Sequence, residues 1–112
     1  MNDSFELTTQ FADVVMADIS REWVSAMKRF PQWPENNFEG LAILTEEVGE
    51  LANAFLELKH HHKTEVTESE AYSEAVQVAA TAIRIAQSIL VKAGRNVEEI
   101  VEEKISEQEA TN

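Results

Sequence analysis

Glu46, Glu47 and Glu50 stand within five consecutive positions of the segment LAILTEEVGELANAFLE, residues 41–57, whose apolar spacing is otherwise that of a packed helix. Leu41, Leu44, Val48, Leu51, Phe55 and Leu58 alternate spacings of three and four, which draws a bundle-type stripe down one side. At about 100° per residue, Glu47 falls ~60° from the centre of that stripe, Glu50 ~120° from it and Glu46 nearly opposite. Glu47 therefore borders the interior. Glu47 and Glu50, at i and i+3, project from one flank, and like charges so close destabilise a helix by a few tenths of a kcal/mol unless something neutralises them. The chemistry this suggests is the binding of a cation.

The elements that must position these carboxylates read as helices throughout, interrupted by only three glycines and two prolines. A first helix is predicted over about residues 5–29, with Phe5, Ala12, Val15, Ile19, Trp23 and Met27 near one stripe, ending before Pro31 and Pro34. Asn36 or Asn37 can cap the second, with Glu39 three residues after Asn36 as in a capping box. That helix carries the acidic motif and fades near Lys59. The third begins near Thr67 or Ser69 and runs to about Lys92, where Gly94 offers a stop. A fourth follows Asn96 and frays beyond Gln108. The expectation is a single domain, 1–112, built as an all-α bundle of about four helices.

The third helix supplies the counterpart to the acidic flank. Its apolar residues, from Val76 to Val91, cover well over half the circumference, which predicts burial on two sides. The polar strip that remains holds Glu70, Glu74, Gln77, Thr81 and Arg84 within roughly 80° of arc. Its many alanines permit close approach of a neighbouring helix, so this strip can face Glu47 and Glu50 across a narrow gap. Carboxylate and amide oxygens suit hard divalent ions, Mg²⁺ or Mn²⁺, rather than zinc.

At these residues the sequence resembles the MazG-like, all-α nucleoside triphosphate pyrophosphohydrolases. EEVGE at 46–50 matches the EExxE half of that family's motif, and EAVQ at 74–77 stands where the family carries ExxD. The lead-in GLAIL is similar to the family's WLAIL, and the resemblance covers roughly residues 21–105. It implies Mg²⁺-dependent hydrolysis of an NTP or dNTP to the monophosphate and pyrophosphate, with water attacking the α-phosphorus and house-cleaning of non-canonical nucleotides as one role. It also implies that Glu47, Glu50 and Glu74 hold the metal, with Gln77 beside them, while Glu46 is a further ligand or orients the water. The departure is Gln77: an amide oxygen can coordinate a cation but adds no negative charge and cannot act as a base.

Other residues carry weaker expectations. Lys104 resembles the family's C-terminal lysine and could reach a phosphate, or be an ordinary surface lysine. Arg84 and Arg95 could touch phosphate, but pairing with nearby glutamates is the simpler expectation for both. Trp33 could stack on a base or plug the connector against the bundle. Asn36 and Asn37 could read base edges, though capping suits them better. His60, His61 and His62 are adjacent, so they point in different directions and do not make a convergent metal site. The Glu-x-x-His spacing of di-iron bundles is missing.

The whole chain narrows the classes. Twenty-one acidic against nine basic residues give a net charge of −12, which repels duplex nucleic acid and anionic membrane surfaces. There is no cysteine, so disulfide and thiolate-metal scaffolds are ruled out. The N-terminus has acid where a signal peptide needs base, and no apolar run is expected to reach membrane-spanning length, so a cytoplasmic protein is expected. At 112 residues and 44% hydrophobic the chain can build a core, but one this short often completes it with a second copy, and a homodimer or homotetramer is expected. Two other readings stay open: a MazG-like protein that binds nucleotide and metal without turnover, and a purely structural helical oligomer.

Overall fold

The computed structural model describes residues 3–61 and 65–111. Its elements are four helices, α1 (Asp3–Arg29), α2 (Asn37–His61), α3 (Glu65–Lys92) and α4 (Val97–Thr111), and no strand occurs among the described residues. Local chemistry sets the boundaries. The Phe30 N–H still donates to the Ala26 carbonyl at 2.8 Å, and Pro31 then stops α1. Asn36 caps α2: its Oδ1 accepts the Phe38 N–H at 2.8 Å, and its carbonyl accepts the N–H groups of Glu39 and Gly40 at 3.1 and 3.2 Å. Beyond α3 the chain turns at Gly94, whose φ of 66° lies in the left-handed region that glycine tolerates. Asn96 then caps α4 by accepting the Glu98 N–H at 2.8 Å.

α3 is the central element, with both α2 and α1 packed against it; of the apolar residues expected to bury it on two sides, Val76 and Ala80 are buried, whereas Ala82, Ile83, Ala86, Ile89, Leu90 and Val91 are exposed. The buried hydrophobic residues are Ala54, Ala71, Val76 and Ala80, small side chains that let the helix axes come close. Polar staples fix α1 on α3. Trp23 Nε1 donates to Gln87 Oε1 at 2.7 Å, and the Tyr72 hydroxyl donates to Asp18 Oδ2 at 2.5 Å. At the other side, Lys92 Nζ donates to the Glu35 carbonyl and to Asn37 Oδ1, which ties the end of α3 to the start of α2.

The four helices do not close into one bundle within a single chain. α4 has no buried residue and, among the described residues, packs against none of the other helices. The first half of α1 is likewise uncovered: of its predicted stripe, Val15, Ile19, Trp23 and Met27 are half-buried, whereas Ala12 and Phe5 are exposed.

Two expectations need correction. The core stripe of α2 is rotated from the predicted one: Leu41, Val48 and Phe55 are exposed, and the packed face is drawn by Gly40, Leu44, Glu47, Leu51, Ala54 and Leu58. By helical arithmetic the centre of that face lies about 50° from the predicted one, within about 20° of Glu47. Small residues stand on that face: Ala54 is buried, and Gly40 leaves room for the Trp33 ring of the connector. The second correction concerns α3, whose segment Glu68–Lys92 is long and apolar enough, by length and composition, to cross a membrane. Alanine and isoleucine raise its hydropathy, while its polar strip lies within the helical assembly.

Gly40 has a specific packing role. A Cβ there would stand 3.2 Å from Trp33 Cζ2, and the ring is held on its other contact by Arg84, whose guanidinium carbon lies 4.8 Å from the ring centroid. Gly40→Val is expected to lower the unfolding free energy by about 1–3 kcal/mol, measured by urea denaturation, because the indole must shift from its contact with Arg84 to make room.

Candidate functional site

Glu47 and Glu50 on α2 and Glu74 on α3 each offer a carboxylate oxygen, and these oxygens lie within 4.8 Å of one another. The rotation of α2 produces this: with Glu47 in the packed face, Glu50 moves to the flank that meets the polar strip of α3. Glu47 and Glu74 are half-buried and Glu50 is exposed. At an effective dielectric of about 20, two unit charges this close repel by roughly 3–4 kcal/mol; contact of Glu50 with water reduces that figure. Glu47 Oε2 and Glu74 Oε2 are buried without any hydrogen-bond partner. Burial, followed by the charges of Glu50, Glu74 and Glu46, pushes the Glu47 carboxyl above its ordinary range. Glu74 is raised by burial and by Glu50, with a smaller contribution from Glu70.

Such an arrangement is costly as a bare cluster, since buried polar atoms are normally paired. A hard divalent cation fits the donor set. Three carboxylate oxygens within 4.8 Å of one another are close enough that small side-chain movements would let them share one such ion. The two orphaned oxygens are the observation on which this fit rests, and nitrogen and sulfur donors are missing from the group.

The cluster borders a cleft of about 600 Å³ between α1, the connector and α2, floored by α3. It is lined by Glu46 and Glu47 of α2, by Gln77 and Arg84 of α3, by Glu22 and Arg29 of α1, and by Trp33 of the connector. Glu46 is exposed, while Gln77 sits one turn beyond Glu74 on the same helix. Trp33 is the connector's plug, wedged between Gly40 and Arg84, and still lines the cleft. Asn36 is a cap and Asn37 accepts from Lys92, so both serve α2. Lys104 is not brought to this cleft; it is exposed on α4, 3.6 Å from Glu107. His62 lies outside the described residues.

Arg84 departs from its simplest expectation. Arg95 does pair with a glutamate, Glu103, at 2.7 Å, but Arg84 is only 7% exposed and is the one buried charged residue among those described. It has no carboxylate within 4 Å among the described residues. Its Nη2 donates to the Phe30 carbonyl at 2.7 Å, an acceptor left over where Pro31 ends α1. Burial holds its pKa below the ordinary guanidinium value. Sequence reasoning had the signal, an arginine in the column of Gln77 and Thr81, but not the partner, which lies 54 residues away.

Comparison with known protein families, with curated proteins and with solved structures returned no match. The functional reading therefore stands on the residues themselves.

Proposed function

We propose that this chain is a Mg²⁺-dependent nucleoside triphosphate pyrophosphohydrolase of MazG-like type, converting an NTP or dNTP to the monophosphate and pyrophosphate. The observation that carries the reading is the convergence of Glu47, Glu50 and Glu74 from two helices, with two buried oxygens lacking partners, beside a cleft of about 600 Å³. Glu47, Glu50 and Glu74 would hold the metal, with Mn²⁺ as a substitute. A divalent ion bound there supplies charge neutralisation to the triphosphate and acidifies a bound water. Glu46, exposed and lining the cleft next to Glu47, would accept a hydrogen bond from the attacking water and orient it. Gln77 offers its amide oxygen in the same cleft.

The test is to incubate a panel of standard and modified triphosphates with Mg²⁺ or Mn²⁺ and measure pyrophosphate. Release of pyrophosphate that stops on chelation is the expected result; triphosphate binding without release would instead favour a binding protein whose turnover is limited at Gln77. Gln77→Asp tests the part played by Gln77 itself. Adding a fourth carboxylate is expected to tighten Mg²⁺ binding roughly tenfold by calorimetry, since ligand charge tunes affinity at such sites.

The same reading includes a homo-oligomer in the cytoplasm. The radius of gyration is 17.6 Å, against about 13 Å for a compact chain of this length. Tyr72, Ile83 and Leu90 on α3, Leu41, Val48 and Phe55 on α2, and Val97, Val101 and Ile105 on α4 are all exposed, an apolar area a monomer rarely leaves uncovered. A strictly monomeric species in sedimentation would count against it.

A further inference from the structure

We infer that Arg84 is the phosphate-recognition residue of the cleft, its guanidinium fork held flat by Trp33 and by the end of α1 so that its remaining donors take an anionic phosphoryl group. The inference rests on the nucleotide reading above and deepens it.

Three observations lead there. Arg84 is the one buried charge among the described residues, at 7% exposure, and a buried cation without a counter-ion is costly unless a ligand supplies the charge. Its partners among the described residues are neutral: the Phe30 carbonyl takes one N–H at 2.7 Å, and the Trp33 ring covers one face at 4.8 Å. A guanidinium has five N–H donors in a rigid planar fork, so one carbonyl leaves most of them free to meet a ligand. Finally, Arg84 lines the same cleft as Glu46, Glu47 and Gln77, so a phosphate chain there reaches the guanidinium at one end and the carboxylates at the other.

The surroundings select an anion over a neutral acceptor. Arg29 also lines the cleft but is already paired with Glu22 at 2.9 Å, so its charge is spent. Lys92, whose Nζ donates to the Glu35 backbone carbonyl and to Asn37 Oδ1, lines the neighbouring cavity and not this cleft. Of the two cations that line the cleft, Arg84 is the one without a carboxylate partner among the described residues. A second cavity of about 590 Å³, lined by Met27, Pro31, Val91, Gln87 and Ser88, meets the first at Trp33, Pro34 and Arg84. It gives the uncharged part of a ligand an apolar wall on the far side of the same guanidinium.

The experiment measures affinity for a nucleoside triphosphate with a non-cleavable α–β bridge, in Mg²⁺, for the wild type, Arg84→Gln and Arg84→Lys. Removing one partner of a buried charge pair costs enough that Arg84→Gln is expected to bind about thirtyfold or more weakly. Arg84→Lys, which keeps the charge but loses the fork, is expected to fall between. Because Arg84→Gln could fail to fold, the second readout needs no change at Arg84. Trp23 and Trp33 are the two tryptophans of the chain, so in Trp23→Phe protein the emission reports Trp33 alone. That emission is expected to shift when inorganic triphosphate is added and to stay unchanged with the unphosphorylated nucleoside. Equal affinity in folded Arg84→Gln, or a Trp33 response to the nucleoside but not to inorganic triphosphate, overturns the inference. Pyrophosphate release from the wild type is scored separately: binding that depends on Arg84 without release keeps this inference and removes the enzymatic reading, while release that is indifferent to Arg84 does the reverse.

Discussion

Glu47→Gln and Glu50→Gln are each expected to reduce pyrophosphate release by at least about a hundredfold, the scale on which removal of one preorganised electrostatic group acts, while the helical far-UV signal stays intact. For Glu47 the two readouts move in opposite directions. Its carboxylate is half-buried, its Oε2 has no partner, and its oxygen lies within 4.8 Å of those of Glu50 and Glu74. Glutamine keeps the shape, removes the repulsion and brings an N–H₂ that can donate to a neighbouring carboxylate. Metal-free Glu47→Gln is therefore expected to be more stable than the wild type by about 1 kcal/mol at neutral pH, the net worth of one hydrogen bond. A variant that loses activity while gaining stability has lost chemistry rather than structure. If neither quantity changes, the glutamates are a solvated face and the site does not exist.

Removal of divalent metal is expected to have the second large effect. A ligand that binds only the native state at a hundred times its Kd stabilises by about 2.7 kcal/mol, which for a chain of this size is a rise in Tm of roughly 10 °C. The comparison is a melt in EDTA against one in Mg²⁺, with Glu47→Gln expected to show little difference between the two. The pH dependence follows from the direction of the shifts. Glu47 and Glu74 are raised above their ordinary value of 4.5 in the native state, so the native protein binds these protons more tightly than the unfolded chain. Their contribution to stability is complete below about pH 4.5 and is lost as pH rises through the elevated native values. Metal-free protein is thus expected to melt lower at pH 7 than at pH 5, and added Mg²⁺ to recover the loss, because metal and protons compete for the same oxygens. Asp18 acts in the opposite sense. The Tyr72 hydroxyl, together with Arg21, holds it below 3.8, so its contribution is present above that pH and lost on further acidification. A metal-free melting profile that is flat from pH 5 to 7, or one that Glu47→Gln leaves unaltered, would remove the carboxylate cluster from the account.

The helix ends were legible because their causes are local. Pro31 forbids continuation of α1, Asn36 and Asn96 supply caps, and Gly94 supplies the left-handed turn, so each expected boundary falls within a few residues of the observed one. The rotation of α2 was not legible. Two apolar arcs overlap on that helix, one through Leu41, Val48 and Phe55 and one through Leu44, Leu51 and Leu58, and periodicity averages them into a single stripe. Which arc packs inside the chain depends on the neighbours that meet it, α3 along its length and the Trp33 ring over Gly40, and the periodicity of α2 does not encode those. Arg84 was misread for a related reason: glutamates abound nearby in sequence, whereas its true partners, Phe30 and Trp33, come from a connector distant in the chain.

By itself the sequence determined that the chain is helical, where its helices begin and end, and which carboxylates stand at spacings suited to a hard cation, since each of these depends on neighbours within about one turn. Tertiary structure alone decided that Glu47 faces α3, that Glu50 and Glu74 come within reach of it, and that a guanidinium lining the same cleft is buried without an acid. Those outcomes depend on the rotation and separation of packed helices, which short-range chemistry does not specify.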